Sequence, residues 1–328
     1  PFQPRRSLVT LLFSQIADQN DLVFAGCSNS ANIFDEFGIN AINMHIPGVN
    51  INYIIEKSKE LSQINGMRRY IIYTGRVEPD RNIIGLIKMF YEVQKEIDDD
   101  IDLLICTHIW NETYLSRCQR MIEGDNRVRF IFSATLNDLI PLYSNAICFV
   151  SSGSSVLETY GRSPIEALAT GIPVVVPNFM GAIENLDSIY CRKVKLVDVN
   201  GLLTVDPDEF IATLTDIINH PLPRQSIESR IDLLYPHSQK YCLKRFKSML
   251  MGFHSGVKIS RPDFNNAINL EKYDDPIKNL WQHIEGEKLV DILLNINFNN
   301  NYLRYFEEIN IEDVKAYYRY IYKRYFHE

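Results

Sequence analysis

The sequence predicts an α/β fold, a doubly wound parallel sheet with helices on both faces, and three observations carry that expectation. From residue 69 onward, short β-branched or aromatic runs alternate strictly with helical segments. The runs are apolar along their whole length, as in strands covered on both sides. The segments between them are long enough to form the right-handed crossovers that parallel neighbours require.

The elements follow in order. "RRYIIYTG" is a strand ending in glycine, and "DRNIIGLIKMFYEVQKEI" is a helix with Ile84, Ile87, Phe90, Tyr91 and Gln94 at helical spacing. "IDLLICTH" (strand), "NETYLSRCQRMIE" (helix), "RVRFIFS" (strand) and "LNDLIPLYSNA" (helix) come next. "AICFVSS" (strand), "SPIEALATG" (helix) and "IPVVVPN" (strand) continue the alternation, and "RKVKLVDV" and "DPDEFIATLTDIINH" close it with a strand and a helix. "HPLPRQS" marks a break, after which two helical segments run to about residue 252. Upstream, "DLVFAGCSN" reads as a strand, "SANIFDEFG" as a helix, and "INAINMHIPG" as the segment that completes this short α/β stretch. The expected organisation is an α/β remnant over 1–50, a polar connector over 51–68, a ligand-binding domain over 69–252 and a helical extension over 253–328.

Composition narrows the function classes. The chain has 328 residues, 46% of them hydrophobic and 23% charged, enough for two domains. A formal net charge of -7 argues against general nucleic-acid binding. The longest apolar runs, "IPVVVP" and "AICFV", are far too short to span a bilayer. The chain begins "PFQPRR" without methionine, so no targeting segment is read from its start. Cys27, Cys106, Cys118, Cys148, Cys191 and Cys242 show no CxxC spacing, and the histidines form no HxxxH pair. The expectation is core cysteines in a reducing, cytoplasmic setting, peripheral to a membrane at most, with no metal and no cofactor.

In doubly wound sheets ligands bind where strand ends run into loops. The loop "SSGSSVLETYGRS" and the helix after it hold the densest chemistry. Ser163-Pro164 reads as a helix start, with serine as the cap and proline at the first helical position. Gly161 lets the backbone approach a ligand closely. The positive end of the helix suits phosphate, while Glu158 before the turn and Glu166 in the first helical turn suit hydroxyls. Alone, each of these acids reads as a solvated helix-end charge; together they fit a ligand with a phosphate between two sugars. "DDDID" at residues 98–102 lies at the opposite end of the sheet and reads as a solvated loop. "YYRYIYKRYF" places Val314, Tyr317, Ile321 and Tyr325 on one stripe, which reads as a helix docking on protein and not on a membrane.

At this point the residues resemble a family. Glu158-x7-Glu166 followed by "ALATGIPVVV" is similar to the donor signature of retaining GT-B glycosyltransferases, the group 4 class. "YTGRVEPDRNIIGLIKMF", "VRFIFSATLNDLIPLYSNAICFVSSG" and "PNFMGAIEN" match that class in order and spacing, over about residues 20–220. The resemblance implies a GT-B, Rossmann-like donor domain that binds a nucleoside diphosphate sugar. It implies that Arg76 and Arg81 grip the diphosphate and stabilise the leaving group, that Glu166 binds the ribose and that Glu158 orients the donor sugar. Backbone amides near Thr159, Tyr160 and Gly161 would hold sugar hydroxyls, and the helix start at Ser163 would face the phosphates. Position 81 is usually lysine in the class, so arginine keeps the charge with a different geometry.

The chain also departs from the class. Only the final strand-helix-strand of the acceptor domain matches, ending at "HIPGVN"; Asn50 stands where aspartate is common, and His45 takes no assigned role. Two functions are therefore expected as alternatives. One is a retaining glycosyltransferase acting on a glycan or lipid-linked acceptor, its acceptor domain truncated, rebuilt from unusual elements, or supplied by a partner chain or a second copy. The other is a non-catalytic binding or scaffold subunit that keeps the donor fold. Trp281 and the apolar stripes of the extension need a partner surface in either case.

Overall fold

The structure, a computed structural model, describes residues 23–27, 31, 41–44, 48–59, 68–78, 81–108, 111–153, 160–178, 186–199 and 202–254. The helical extension, with Trp281 and the aromatic stripe, lies outside the described residues, as do His45, Glu158 and Thr159. The chain divides into two compact units, one of residues 45–250 and one combining 1–44 with 251–328. In the second unit, β1 (Phe24–Ala25) and β2 (Ile42–Asn43) pair in parallel, with Val23, Ala25, Ala31 and Ala41 buried together.

The larger unit is built on a six-stranded sheet in the order β5-β4-β3-β6-β7-β8, every pair parallel. The strands are β3 (Tyr70–Thr74), β4 (Asp102–Thr107), β5 (Val128–Phe132), β6 (Phe149–Val150), β7 (Val174–Pro177) and β8 (Cys191–Val194). The helices are α1 (Ile51–Lys59), α2 (Ile83–Glu96), α3 (Glu112–Met121), α4 (Leu136–Asn145), α5 (Arg162–Thr170), α6 (Pro207–Asn219), α7 (Ile227–Leu234) and α8 (Gln239–His254). Because successive strand residues point to opposite faces, the central strands feed two cores. Ile71, Leu103, Ile105 and Val175 pack with α2 and α6 residues such as Phe90 and Phe210. Ile72, Leu104, Phe149 and Val174 pack with α1, α4 and α5 residues such as Ile54, Tyr143 and Ile165.

Three details differ from the sequence reading. The polar connector contains α1, whose Ile51, Ile54 and Ile55 are buried while Glu56 and Lys57 face out. An amphipathic helix with a narrow apolar stripe has a polar composition, which is why composition misjudged it. In α2 the buried face is Ile83, Leu86, Ile87, Met89, Phe90 and Val93, whereas Ile84 and Tyr91 are only partly buried. That helix is apolar nearly all round, so spacing alone chose the wrong edge of the stripe. "RKVKLVDV" is not one strand: Lys195 separates β8 from β9 (Leu196–Val199), which pairs antiparallel with β10 (Leu202–Val205).

All six cysteines are buried, as expected of small core hydrophobes. The acidic run is folded into ion pairs at the far end of the sheet. Asp99 pairs with Arg69, Asp100 with Arg68 at 2.7 Å, and the buried Asp102 with Arg129 at 2.7 Å. Among the described residues no helix is long and apolar enough to cross a membrane.

Candidate functional site

The chain runs from β3 outward through β4 to β5, then returns to the other side of β3 as β6. That reversal makes β3 and β6 a switch point, where the two following loops diverge and leave a crevice at the strands' carboxyl ends. The loop after β3 carries Arg76 and Arg81; the loop after β6 leads to Gly161, Ser163 and Glu166. The two stretches predicted to hold one ligand thus leave adjacent strands on the same rim.

Close packing shapes the β3 loop. A Cβ on Gly75 would sit 2.6 Å from Tyr73 Oη, and that hydroxyl donates to the Arg76 carbonyl at 2.9 Å, drawing the turn back over the strand. Arg76 Nη1 lies 2.8 Å from Glu78 Oε2, with both side chains mostly buried. The Arg81 amide donates to the Glu78 carbonyl at 3.0 Å. Asn82 is left-handed at φ 49° and caps α2, its Oδ1 accepting from the Gly85 amide at 3.2 Å. Asparagine tolerates that backbone better than most residues.

The β6 loop is pressed onto the β3 loop. Ser152 Oγ, wholly buried, donates to the Asn82 carbonyl at 3.0 Å. A Cβ on Gly153 would lie 3.1 Å from Arg81 Cα, a tight contact that glycine avoids. Arg81 and the start of the β6 loop are thereby held side by side.

Helix α5 begins two residues earlier than the sequence suggested. Gly161, at φ +74°, is the N-cap, and no side chain caps the helix. Ser163 is therefore in the first turn and not the cap, and Pro164 is the third helical residue, still among positions whose amides have no intrahelical partner. The uncapped amides and the positive end of the dipole are directed at the rim. Glu166 opens the second turn, not the first, and is buried. Burial raises its pKa above the ordinary carboxylate range, partly opposed by Arg162, whose Nη2 is 3.5 Å from Oε1. The Tyr143 hydroxyl of α4, a helix that packs on α5, lies 2.5 Å from Thr74 Oγ1.

Of the predicted residues, Arg76, Arg81, Gly161, Ser163 and Glu166 stand on the β3 and β6 rim. The Tyr160 side chain is engaged elsewhere: its hydroxyl is 3.2 Å from His237 Nδ1. Sequence reasoning did not single out Glu78, Arg162 or Tyr143. An acid two residues after an arginine in a turn, and a base four residues before a helical glutamate, were signals for the first two. Tyr143 carried no signal beyond being an aromatic on an apolar stripe. The loop after β3 thus carries two guanidinium groups, and the helix reached from the adjacent β6 carries a buried carboxylate in its second turn. Such groups can neutralise a diphosphate and accept hydrogen bonds from hydroxyls.

Known proteins share this framework. The family model described as Glycosyl transferases group 1 matches residues 54–230, just over half of the chain. The O-antigen chain mannosyltransferase RfbU of Salmonella typhimurium is 27% identical over 170 residues, which are 51% of this chain and 42% of that protein. A probable sucrose-phosphate synthase of Thermosipho melanesiensis is 27% identical over 146 residues, 43% of this chain and 33% of that one. The chain thus spans less than half the length of both curated relatives. Among solved structures, a glycosyltransferase from Rickettsia africae superposes with a TM-score of 0.63 at 15% identity, covering 76% of this chain and 68% of that chain. Anabaena HepE, solved in complex with UDP and glucose, gives a TM-score of 0.58 at 17% identity with the same two coverages. At such identities the likeness is one of fold.

Proposed function

The chain belongs to the glycosyl transferases group 1 family, and on that premise we propose that it binds a nucleoside diphosphate sugar and transfers the sugar, with retention of configuration, to an acceptor hydroxyl. The observation that supports this most is the switch-point rim. Arg76 and Arg81 follow β3, and the uncapped start of α5 with the buried Glu166 follows the adjacent β6. HepE, whose solved complex holds UDP and glucose, offers a precedent for the ligand class on this fold.

In the proposed reaction the bond from the anomeric carbon to the phosphate oxygen breaks as the acceptor oxygen bonds to the same carbon from the same face. The departing phosphate oxygen takes the acceptor's proton, so no protein base is required. Arg76, Arg81 and the α5 amides stabilise the negative charge growing on the leaving diphosphate, work of about 3 kcal/mol per donor. Glu166 accepts from the ribose hydroxyls, and Glu158 and the backbone near Thr159, Tyr160 and Gly161 orient the sugar. A glycan or lipid-linked acceptor, with a second chain or copy completing its side, belongs to this reading.

A calorimetric screen of UDP, GDP, ADP and their sugars tests it. One of these ligands should bind, and incubation with a matched acceptor should yield a product whose anomeric signal in NMR matches that of the donor. Absence of binding by every nucleotide defeats the reading, and an inverted product defeats its stereochemistry.

A further inference from the structure

Tyr143 of α4 is fully buried and reaches the end of β3 with its hydroxyl. Its ring packs edge-on to Phe149 at 6.3 Å, a contact phenylalanine would make equally well. Its hydroxyl does something phenylalanine could not. Oη lies 2.5 Å from Thr74 Oγ1, and Thr74 is the last residue of β3, immediately before the Gly75-Arg76 turn. Helix α4 packs on α5, whose Ser163 hydroxyl and Glu166 carboxylate are near enough to act on the phenol electrostatically. Burial, with Glu166 adding to it, pushes the phenol pKa well up, so the group stays protonated. A neutral phenol keeps a proton to give and lone pairs to receive, so the bond that ties α4 to the end of β3 is retained across the working pH range. Helix α4 is held against β3 one residue earlier, where Tyr70 Oη donates to the Leu142 carbonyl at 2.8 Å, and it packs on α5. Tyr143 therefore does not hang from a mobile element.

The geometry points to Tyr143 as a positioning residue that sets the spacing between the two walls of the rim, the β3 end bearing Arg76 and the start of α5 bearing Ser163 and Glu166. The inference rests on the donor-site reading above. A ligand that touches both walls, a nucleoside diphosphate, depends on that spacing. A ligand that needs the cationic wall alone, inorganic pyrophosphate, does not.

The test uses the full chain, its Tyr143→Phe and Thr74→Val variants and the double variant, with calorimetry against UDP, GDP, ADP and inorganic pyrophosphate. Each single variant should raise the Kd of the tightest nucleoside diphosphate about tenfold, the worth of one hydrogen bond. Pyrophosphate affinity should change by less than about twofold, and the double variant should be no weaker than the singles because both remove the same bond. Unchanged nucleotide binding, or an equal loss for both ligand classes, overturns the positioning role while leaving the donor site intact. A parent chain that binds no nucleoside diphosphate overturns the donor site itself, and the role with it. If Tyr143→Phe does not fold, Thr74→Val, which keeps a β-branched residue in the strand, decides the question alone.

Discussion

At the scale of single residues, the site is governed by how charge is treated when water is removed. Glu166 is buried with only Arg162 offsetting the desolvation, so its folded-state pKa lies above the unfolded one. In the ligand-free protein this carboxyl stabilises the fold when protonated. That contribution is complete below the unfolded pKa and is lost as pH rises through the raised value. A ribose that donates to the carboxylate favours the opposite, ionised state. Nucleotide affinity should therefore decline as pH falls from neutrality through that raised pKa. Glu166→Gln should bind more weakly near neutrality and lose this part of the pH dependence, as calorimetry across a pH series will register. Arg76 poses a different question, because Glu78 already neutralises it at 2.8 Å. An arginine held by a carboxylate is fixed in position, and in the proposed reaction it would face the charge developing on the leaving diphosphate. Arg76→Ala should lower kcat about 100-fold while raising donor KM far less. A variant with normal kcat and a raised KM would assign Arg76 to ground-state binding only.

At the scale of elements, what could be read from the sequence depended on how many neighbours an element needs. The β3, β4 and β7 strands were legible because strands covered on both faces must be apolar throughout, and "YIIYT", "DLLICT" and "VVVP" are nearly so. Helix α1 was not, since its three buried isoleucines sit among Asn52, Glu56, Lys57 and Lys59, which face solvent. The second hairpin strand, β10, did not stand out although "DVNGLLTV" contains an Asn-Gly pair, because four residues are too short a run to show a period. The start of α5 lies two residues before the Ser163 cap that the sequence suggested, because glycine in a left-handed conformation takes the place of a serine cap. Asn82 shows how much a cap is worth. It holds a left-handed conformation and caps α2 at once. Asn82→Ala should lose about 1 kcal/mol for the cap and about 1 kcal/mol more for the backbone strain, whereas Asn82→Gly should lose only a few tenths. Urea denaturation of the two variants separates them. Equal losses would mean that the backbone conformation carries no penalty there.

At the scale of the whole molecule, the rim works only if α5 is held at both ends. Its start faces the loops after β3 and β6, and its far end is fastened from α7. The Arg230 guanidinium, with the residue 4% exposed, donates to the Ala169 carbonyl at 2.9 Å, to Ser58 Oγ of α1 at 3.4 Å and to the Ser226 carbonyl at 3.4 Å. One side chain thus joins three helices, and its charge suits the negative end of α5. Gly171, at φ +93°, leaves room for it: a Cβ there would lie 3.3 Å from Arg230 Cζ and 2.6 Å from Arg224 Cγ. Lysine cannot span three acceptors with one ammonium, so the arginine is not exchangeable. Arg230→Met keeps the length and the packing but leaves the last carbonyls of α5 without this donor. It should reduce stability by about 2 kcal/mol, the scale of a charged hydrogen bond lost in the interior. Arg230→Lys should recover only part of that loss. If α5 is the shared support of the fold and the site, the methionine variant should also weaken nucleotide binding, although Arg230 is at the end of the helix remote from the ligand. Denaturation and calorimetry on the same preparation test both statements. A variant that loses stability and keeps its affinity would confine Arg230 to the scaffold and would mean that the rim keeps its shape without it.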